Sequence, residues 1–261
     1  MSTSTDGVFY TEAFDKIVFH FDGNNNDPDD IAAMPIAAML AKAAGIEDKI
    51  VFYYNNNIGE PSVDWQVAAM NQSAAFAESL GIETQSYEGR VAQTTNSLSA
   101  LLNSGEKILV LEGGPMTATY NALQDVAESN LSNITLVTHS IWNENQGVPW
   151  STLKDSFPSM DFIEIADQNG FTTKTTNAPG SGFKSKWWDW MDDPDEPLAQ
   201  DPVVQEANAL MDLANGPNFD ATSLPEGNAR YYSDISFDAS DAGMLMYALT
   251  GGSARSNPRE A

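Results

Sequence analysis

The segment KIVFHFDGNNNDPDD, residues 16–30, joins an apolar run to a loop that is crowded with carboxylates. Its apolar part has the continuous hydrophobic character of a strand that is buried on both faces. Asp29 and Asp30 stand where side-chain oxygens cap a helix, and an Ala-rich helical segment, 31–45, follows. The stretch therefore predicts a strand–loop–helix unit, in which Pro35 is a source of a kink.

The same alternation continues along most of the chain. Further strands are predicted at 49–54, 83–87, 107–111, 134–138 and 161–165, and further helices at 61–81, 95–103, 117–129, 203–215 and 239–251. This rhythm predicts an α/β fold of the Rossmann-like type, with a mostly parallel central sheet and helices on both faces. We expect one domain over residues 1–261, in which the Trp-, Gly- and Pro-rich stretch 167–235 is an irregular insertion that packs over the strand ends.

Unusual polar loops follow four of the predicted strands. They span residues 22–30, 55–60, 112–117 and 139–147. Parallel strands bring their carboxyl ends to one edge of the sheet, and ligands of such sheets bind beyond that edge. The sequence therefore predicts that these loops converge on one functional site.

The net charge of the chain limits its partners. With 37 acidic and 12 basic residues, the formal charge is −25. A field of this sign repels nucleic acid and anionic membrane, so neither is expected as a partner. Most of the charge is interpreted as adaptation to a salty habitat. No apolar run approaches the ~20 residues of a membrane helix, and the first residues lack the regions of a signal peptide. The compartment stays open between secreted, periplasmic and cytoplasmic in a salt-adapted or marine organism, and a homo-oligomer is compatible with the sequence.

The available side chains favour an oxygen-ligated cation. The chain has no cysteine and only two histidines, which excludes thiolate chemistry and three-histidine metal sites. A loop that carries Asp22, Asp27, Asp29 and Asp30 is tolerated when a divalent cation neutralises it, and oxygen ligands suit Ca²⁺ or Mg²⁺. The spacing is not that of an EF-hand. The alternative is that these residues cap the helix and form a solvated turn.

Three segments in order, FDGNNNDPDDIAAMPIAAML (21–40), VLEGGPMTATYNAL (110–123) and SDAGMLMYAL (240–249), resemble the signatures of the inosine–uridine nucleoside hydrolase superfamily. The Asp-Pro-Asp-Asp form is closest to a divergent, nucleoside-hydrolase-like branch of sugar-related proteins. The resemblance implies a Ca²⁺ site and hydrolysis of a glycosidic bond in a nucleoside or sugar.

The resemblance also implies roles for individual residues. Asp30 and Asp241 match metal-binding carboxylates, the latter also binding a sugar hydroxyl, and Thr117 matches a residue whose backbone carbonyl binds Ca²⁺. Asp29 matches the carboxylate beside the attacking water. Where the family has its general base, this chain has Asn25, which cannot accept a proton. Because the loop is one residue longer than the family's, Asp27 or Asp22 is the substitute, and both are also candidate metal ligands.

Sugar recognition is assigned to polar residues after the second and fifth predicted strands. The family binds ribose hydroxyls with Asn and Glu side chains, which here correspond to Asn56, Asn143, Glu144 and Asn145. The alternative is that these residues serve as turns. His139 follows a strand and is a candidate general acid for the leaving group, or else a hydrogen-bonded structural histidine. His20 lies within a strand and is expected in the core.

Tryptophans give a further candidate contact. They stack on a sugar or base, or else they anchor the insertion as core side chains. The five concerned are Trp142, Trp150, Trp187, Trp188 and Trp190.

These observations favour a Ca²⁺-dependent hydrolase of an N-glycosidic or related bond. The alternatives are a non-catalytic module that binds carbohydrate or metal on the same fold, and a structural protein whose ion stabilises a loop. The EGGPMT segment lacks the length and lysine of a phosphate-binding loop, and no Gly-x-Ser-x-Gly elbow is present.

Overall fold

A computed structural model describes residues 10–21, 29–54, 64–86, 91–166, 168, 188–214, 216 and 239–250. Within these ranges the strands are β1 (Lys16–Phe21), β2 (Ile50–Tyr54), β3 (Glu83–Ser86), β4 (Ile108–Gly113), β5 (Ile134–Thr138) and β6 (Asp161–Glu164). They form a six-stranded sheet in the order β3-β2-β1-β4-β5-β6. Every neighbouring pair is parallel. The chain thus builds outward from β1 in one direction and then, from β4, in the other.

Helices connect the strands and cover the sheet. In the described ranges they are α1 (Asp29–Ala44), α2 (Asp64–Ser79), α3 (Val91–Leu102), α4 (Thr117–Gln124), α5 (Glu128–Leu131), α6 (Ile141–Asn145), α7 (Trp150–Ser156), α8 (Pro202–Leu213) and α9 (Ala242–Leu249). Short 3₁₀ turns span Tyr10–Ala13, Asp189–Asp192 and Pro197–Gln200. None of the described helices is long and apolar enough to cross a membrane.

Alternate side chains of the strands build two apolar layers, one on each face of the sheet. Phe19 and Phe21 of β1 pack with α1, α2, α8 and α9. Val18 of β1 and Val110 of β4 pack with α3, α4 and α7 on the other face. Successive residues of a strand point to opposite faces, so a strand covered on both sides must be apolar throughout. The predicted parallel sheet with helices on both faces is confirmed.

The segment predicted as one helix over 117–129 is two helices, so this part of the prediction is wrong. The break lies between α4 and α5, where Asn103 binds the backbone on both sides. Its side-chain amide donates to the Asp125 carbonyl at 2.8 Å, and its carbonyl oxygen accepts from the Ala127 N–H at 2.9 Å. This side chain, distant in sequence, satisfies backbone groups that a continuous helix would pair internally. The predicted helix over 95–103 also begins earlier, at Val91.

Pro35 lies inside α1, as expected. A side chain of α2 compensates for the backbone hydrogen bond that the proline removes. Proline has no N–H, so the carbonyl four residues earlier, that of Ile31, lacks its helical donor. The hydroxyl of Ser73, which is fully buried, donates to the Ile31 carbonyl at 2.9 Å. A side chain of the neighbouring helix therefore replaces the missing backbone hydrogen bond near the start of α1.

Ser73→Ala is expected to lower the free energy of unfolding by about 1–3 kcal/mol, because it leaves the buried Ile31 carbonyl without a donor. Urea unfolding followed by circular dichroism measures the change. Pro35→Ala in the same chain restores an N–H for that carbonyl, so the double variant should recover most of the loss. Equal losses in the single and double variants would show that the hydroxyl does not compensate for the proline.

The predicted insertion is described only in part, at residue 168, over 188–214 and at 216. There, α8 packs against α1 and α2. Trp188 is buried in the apolar layer that these helices form, and the half-buried Trp190 packs against that layer. On the other face Trp150 is buried, with its ring edge-on to Phe162 at 5.2 Å. These three tryptophans are core residues. Trp142 is 45% exposed, and Trp187 lies outside the described residues.

Candidate functional site

The carboxyl ends of β1 and β4 mark the point where the sheet changes direction of growth. β1 and β4 are neighbours in the sheet, whereas the connections that leave them run to opposite sides. The loops after two such strands diverge and leave a crevice, which is where parallel sheets bind their ligands. Side chains at this point are therefore the first candidates for function.

A carboxylate from the last described helix reaches this crevice. Asp241 precedes α9 and is 2% exposed. Its Oδ1 accepts a hydrogen bond from Nε2 of His139, the residue directly after β5, at 2.7 Å. The backbone N–H of Gln168 donates to Nδ1 of His139 at 3.3 Å. Two predicted site residues thus contact each other, and a third residue, which sequence reasoning missed, holds the histidine from the opposite side.

The second oxygen of Asp241 is directed toward the end of β4. A Cβ built on Gly113 would lie 2.6 Å from Asp241 Oδ2 and 3.1 Å from the His20 carbonyl, so only glycine fits there. Asp241 stands at the N-cap of α9, yet its side chain makes no capping hydrogen bond. Oδ2 is buried and has no hydrogen-bond partner among the described residues. A buried carboxylate oxygen without a partner is costly, and a bound cation is one way to offset that cost.

A second buried acid–base pair lies on the other face of the same strand ends. His20 and Glu112 are directly opposite each other in β1 and β4, and both are fully buried. His20 Nδ1 lies 2.5 Å from Glu112 Oε1. The hydroxyl of Thr119 in α4 donates to the other carboxylate oxygen. The core position predicted for His20 is confirmed, but its partner was missed.

Helix α1 begins at the same edge of the sheet. Asp30, in its first turn, is 1% exposed, and Asp29 is half-buried and accepts a hydrogen bond from the Asp30 N–H at 2.9 Å. Helix α1 packs against α9, so the helix starts that carry Asp30 and Asp241 belong to contacting helices. The predicted residues Asp22, Asn25, Asp27 and Asn56 lie outside the described residues.

The remaining predicted residues come from the loops after β4 and β5. Thr117 is the first residue of α4 and contacts Gly147, where a Cβ would collide with its hydroxyl. Asn143 and Glu144 are buried on α6, while the exposed Asn145 turns its amide back to the Ile141 carbonyl at 2.7 Å. Two of the three predicted sugar-binding residues on α6 therefore point inward.

The metal ligands predicted in this chain come from several segments. Among the residues that the structure describes, no three His, Asp or Glu side chains are grouped closely enough to hold a metal ion. Of the predicted carboxylate ligands, Asp30 and Asp241 are described, and Asp22 and Asp27 are not. The Ca²⁺ site consequently stays a prediction, with the unpartnered oxygen of Asp241 as its support.

Comparison with known proteins shows a similarity that extends over most of the chain. An uncharacterized protein, P22, of Formosa agariphila is 23% identical over 254 residues, which covers 90% of this chain and 84% of that protein. No protein-family profile and no solved structure matches the chain. The α/β fold with its parallel sheet is established by the strands themselves. Membership of the nucleoside hydrolase superfamily stays a prediction.

Proposed function

We propose that the protein is a Ca²⁺-dependent hydrolase of an N-glycosidic or related glycosidic bond, acting on a nucleoside or sugar as a divergent relative of the nucleoside hydrolases. The observation that carries the proposal is Asp241. Its carboxylate is buried at the point where the sheet changes direction, and one oxygen has no hydrogen-bond partner among the described residues. The burial and position of this late Asp of the resembling motif support a ligand-binding role.

The assigned donors fit a hard cation. The carboxylates of Asp30 and Asp241 offer oxygen only, the resemblance adds the backbone carbonyl of Thr117, and the acidic loop adds Asp22 and Asp27 from the sequence. Ca²⁺ takes six to eight oxygen ligands in flexible geometry, which suits ligands drawn from separate loops. When bound, Ca²⁺ supplies positive charge that makes a neighbouring water more acidic and orients sugar hydroxyls.

Different residues of the chain then accept a proton from water and bind the sugar hydroxyls. Asp29 or Asp27 accepts a proton from the attacking water, whose oxygen bonds to the anomeric carbon as the glycosidic bond breaks and that carbon gains oxocarbenium character. The leaving group departs with the electron pair of the broken bond and is protonated from solvent. Asp241 binds a sugar hydroxyl, and the inward-facing Asn143 and Glu144 bind others, because amide and carboxylate groups match hydroxyls that both donate and accept. Both ring nitrogens of His139 are engaged, so protonating a leaving group would require it to break one of its hydrogen bonds.

A non-catalytic carbohydrate- or metal-binding module on the same fold is the second candidate. It is favoured by Asn25, which stands where the resembling family has its general base. Asparagine can ligate a cation and hydrogen-bond a sugar but cannot take a proton from water. The two candidates therefore share the ion and the sugar and differ in turnover.

Incubation of the purified protein with purine and pyrimidine nucleosides and with marine-type oligosaccharides separates the two candidates. Free sugar is assayed with Ca²⁺, after chelation, and after Ca²⁺ is restored. The proposal expects release that chelation removes and restored Ca²⁺ recovers. Ca²⁺-dependent sugar binding without release would establish the binding module instead. Failure of the protein to bind Ca²⁺ in calorimetry would overturn both.

A further inference from the structure

The hydrogen bonds of His139 define the chemical form of its ring. The Gln168 backbone N–H can only donate, so Nδ1 of His139 must present its lone pair. In the neutral ring the proton then sits on Nε2 and is donated to Asp241 Oδ1 at 2.7 Å. The backbone donor therefore leaves a single neutral tautomer.

The space around this chain of hydrogen bonds is made by two glycines. Gly113 allows Asp241 Oδ2 to approach the end of β4, as described above. On the other side, a Cβ on Gly243 would lie 2.5 Å from Gln168 Oε1 and 2.6 Å from its Cγ. The side-chain amide of Gln168 also donates to the Ala166 carbonyl at 2.5 Å, which fixes the turn that presents its backbone N–H. The two glycines thus leave room for Asp241 on one side and for Gln168 on the other.

We propose that His139 is a positioning residue, which holds Asp241 through Oδ1 so that Oδ2 faces a divalent cation at the carboxyl ends of β1 and β4. The inference rests on the proposed function, because it needs Asp241 to be a cation ligand. Carboxylates that bind metals are commonly held by hydrogen bonds of this kind, and the loss of such a partner weakens metal binding by about 10–100-fold. His139 thereby acts on the ion through Asp241.

Calorimetric Ca²⁺ titration of two variants tests this role. His139→Phe keeps a ring but removes the donor, and its Ca²⁺ affinity should fall by about 10–100-fold. In His139→Gln the side-chain amide can donate from the position of Nε2, so affinity should stay close to that of the wild type. Rescue by glutamine but not phenylalanine identifies the hydrogen bond, rather than packing, as the cause.

Thr138→Val is the matched control. Thr138 is the neighbour of His139 and is fully buried, and its hydroxyl has no hydrogen-bond partner among the described residues. Its replacement is nearly isosteric and should leave the Ca²⁺ affinity unchanged. Urea unfolding of each variant without Ca²⁺ separates a loss of folding from a loss of affinity.

NMR of the imidazole nitrogens gives a readout that needs no ion. The chain has two histidines, so the His139→Gln spectrum assigns both rings. His139 should carry a proton on Nε2 in the protein without Ca²⁺. An unprotonated Nε2 would overturn the positioning role. A folded His139→Phe variant that binds Ca²⁺ as tightly as the wild type would also overturn the positioning role. That outcome would leave the proposed function standing. A wild type that binds no Ca²⁺ would overturn both.

Discussion

Asp241→Asn is expected to lower the Ca²⁺ affinity of the protein by more than about 100-fold, because loss of a ligand should exceed the ~10–100-fold cost of losing a residue that only supports one. The substitution preserves size. The asparagine carbonyl can still accept from His139 Nε2, which places the NH₂ group where Oδ2 stood beside Gly113. A donor group at that position repels a cation. Isothermal titration calorimetry measures the affinity, and sugar release should fall with it.

Asp155→Asn is a control for charge alone. Asp155 is exposed on α7, and its replacement changes the net charge by the same amount as that of Asp241. The Ca²⁺ affinity of Asp155→Asn should match that of the wild type. If Asp241→Asn bound Ca²⁺ as tightly as the wild type, Asp241 would not be a ligand of the ion. The proposed function would then lose its main support.

Glu112→Ala is expected to lower the free energy of unfolding by about 3–5 kcal/mol. Glu112 is fully buried and lies 2.5 Å from the equally buried His20. Its removal leaves the histidine and the Thr119 hydroxyl in the core without their acceptor. Breaking one side of a buried pair costs far more than replacing both sides by apolar groups. Urea unfolding followed by tryptophan fluorescence measures the loss.

Two comparisons sharpen this prediction. The double variant His20→Phe with Glu112→Leu should be closer to the wild type than Glu112→Ala, because no histidine is left unpaired in the core and only the Thr119 hydroxyl loses its acceptor. Glu206→Ala, on the exposed side of α8, should change stability by less than about 0.5 kcal/mol. A loss in Glu112→Ala no larger than that of Glu206→Ala would mean that the buried pair does not stabilise the fold.

The sheet could be predicted because its signal is local. The apolar runs around Val18, Val51, Val110 and Leu136 each define a doubly covered strand without reference to the others. Helix ends were less predictable when a distant residue fixes them. The break after α4 depends on Asn103, whose hydrogen-bond partners lie 22 and 24 positions further along the chain.

The candidate site could be predicted residue by residue but not as a set of contacts. His139 was found from its place after a strand and Asp241 from a motif, yet 102 positions separate them and nothing local indicates their hydrogen bond. Glu112 was predicted to begin a polar loop, whereas β4 continues through Gly113, so only the register of β1 against β4 identifies His20 as its partner. The Gln168 donor is a backbone N–H, which every residue except proline carries.

The order of residues at the crevice has a consequence during synthesis. Every described strand of the sheet has been made once Glu164 is in the chain, whereas Asp241 comes later and completes the crevice between β1 and β4. A chain halted on the ribosome before residue 241 therefore contains every described strand but lacks the carboxylate that His139 holds. If the proposed cation site exists, ion binding would distinguish chains in which α9 has docked from those in which it has not yet been made.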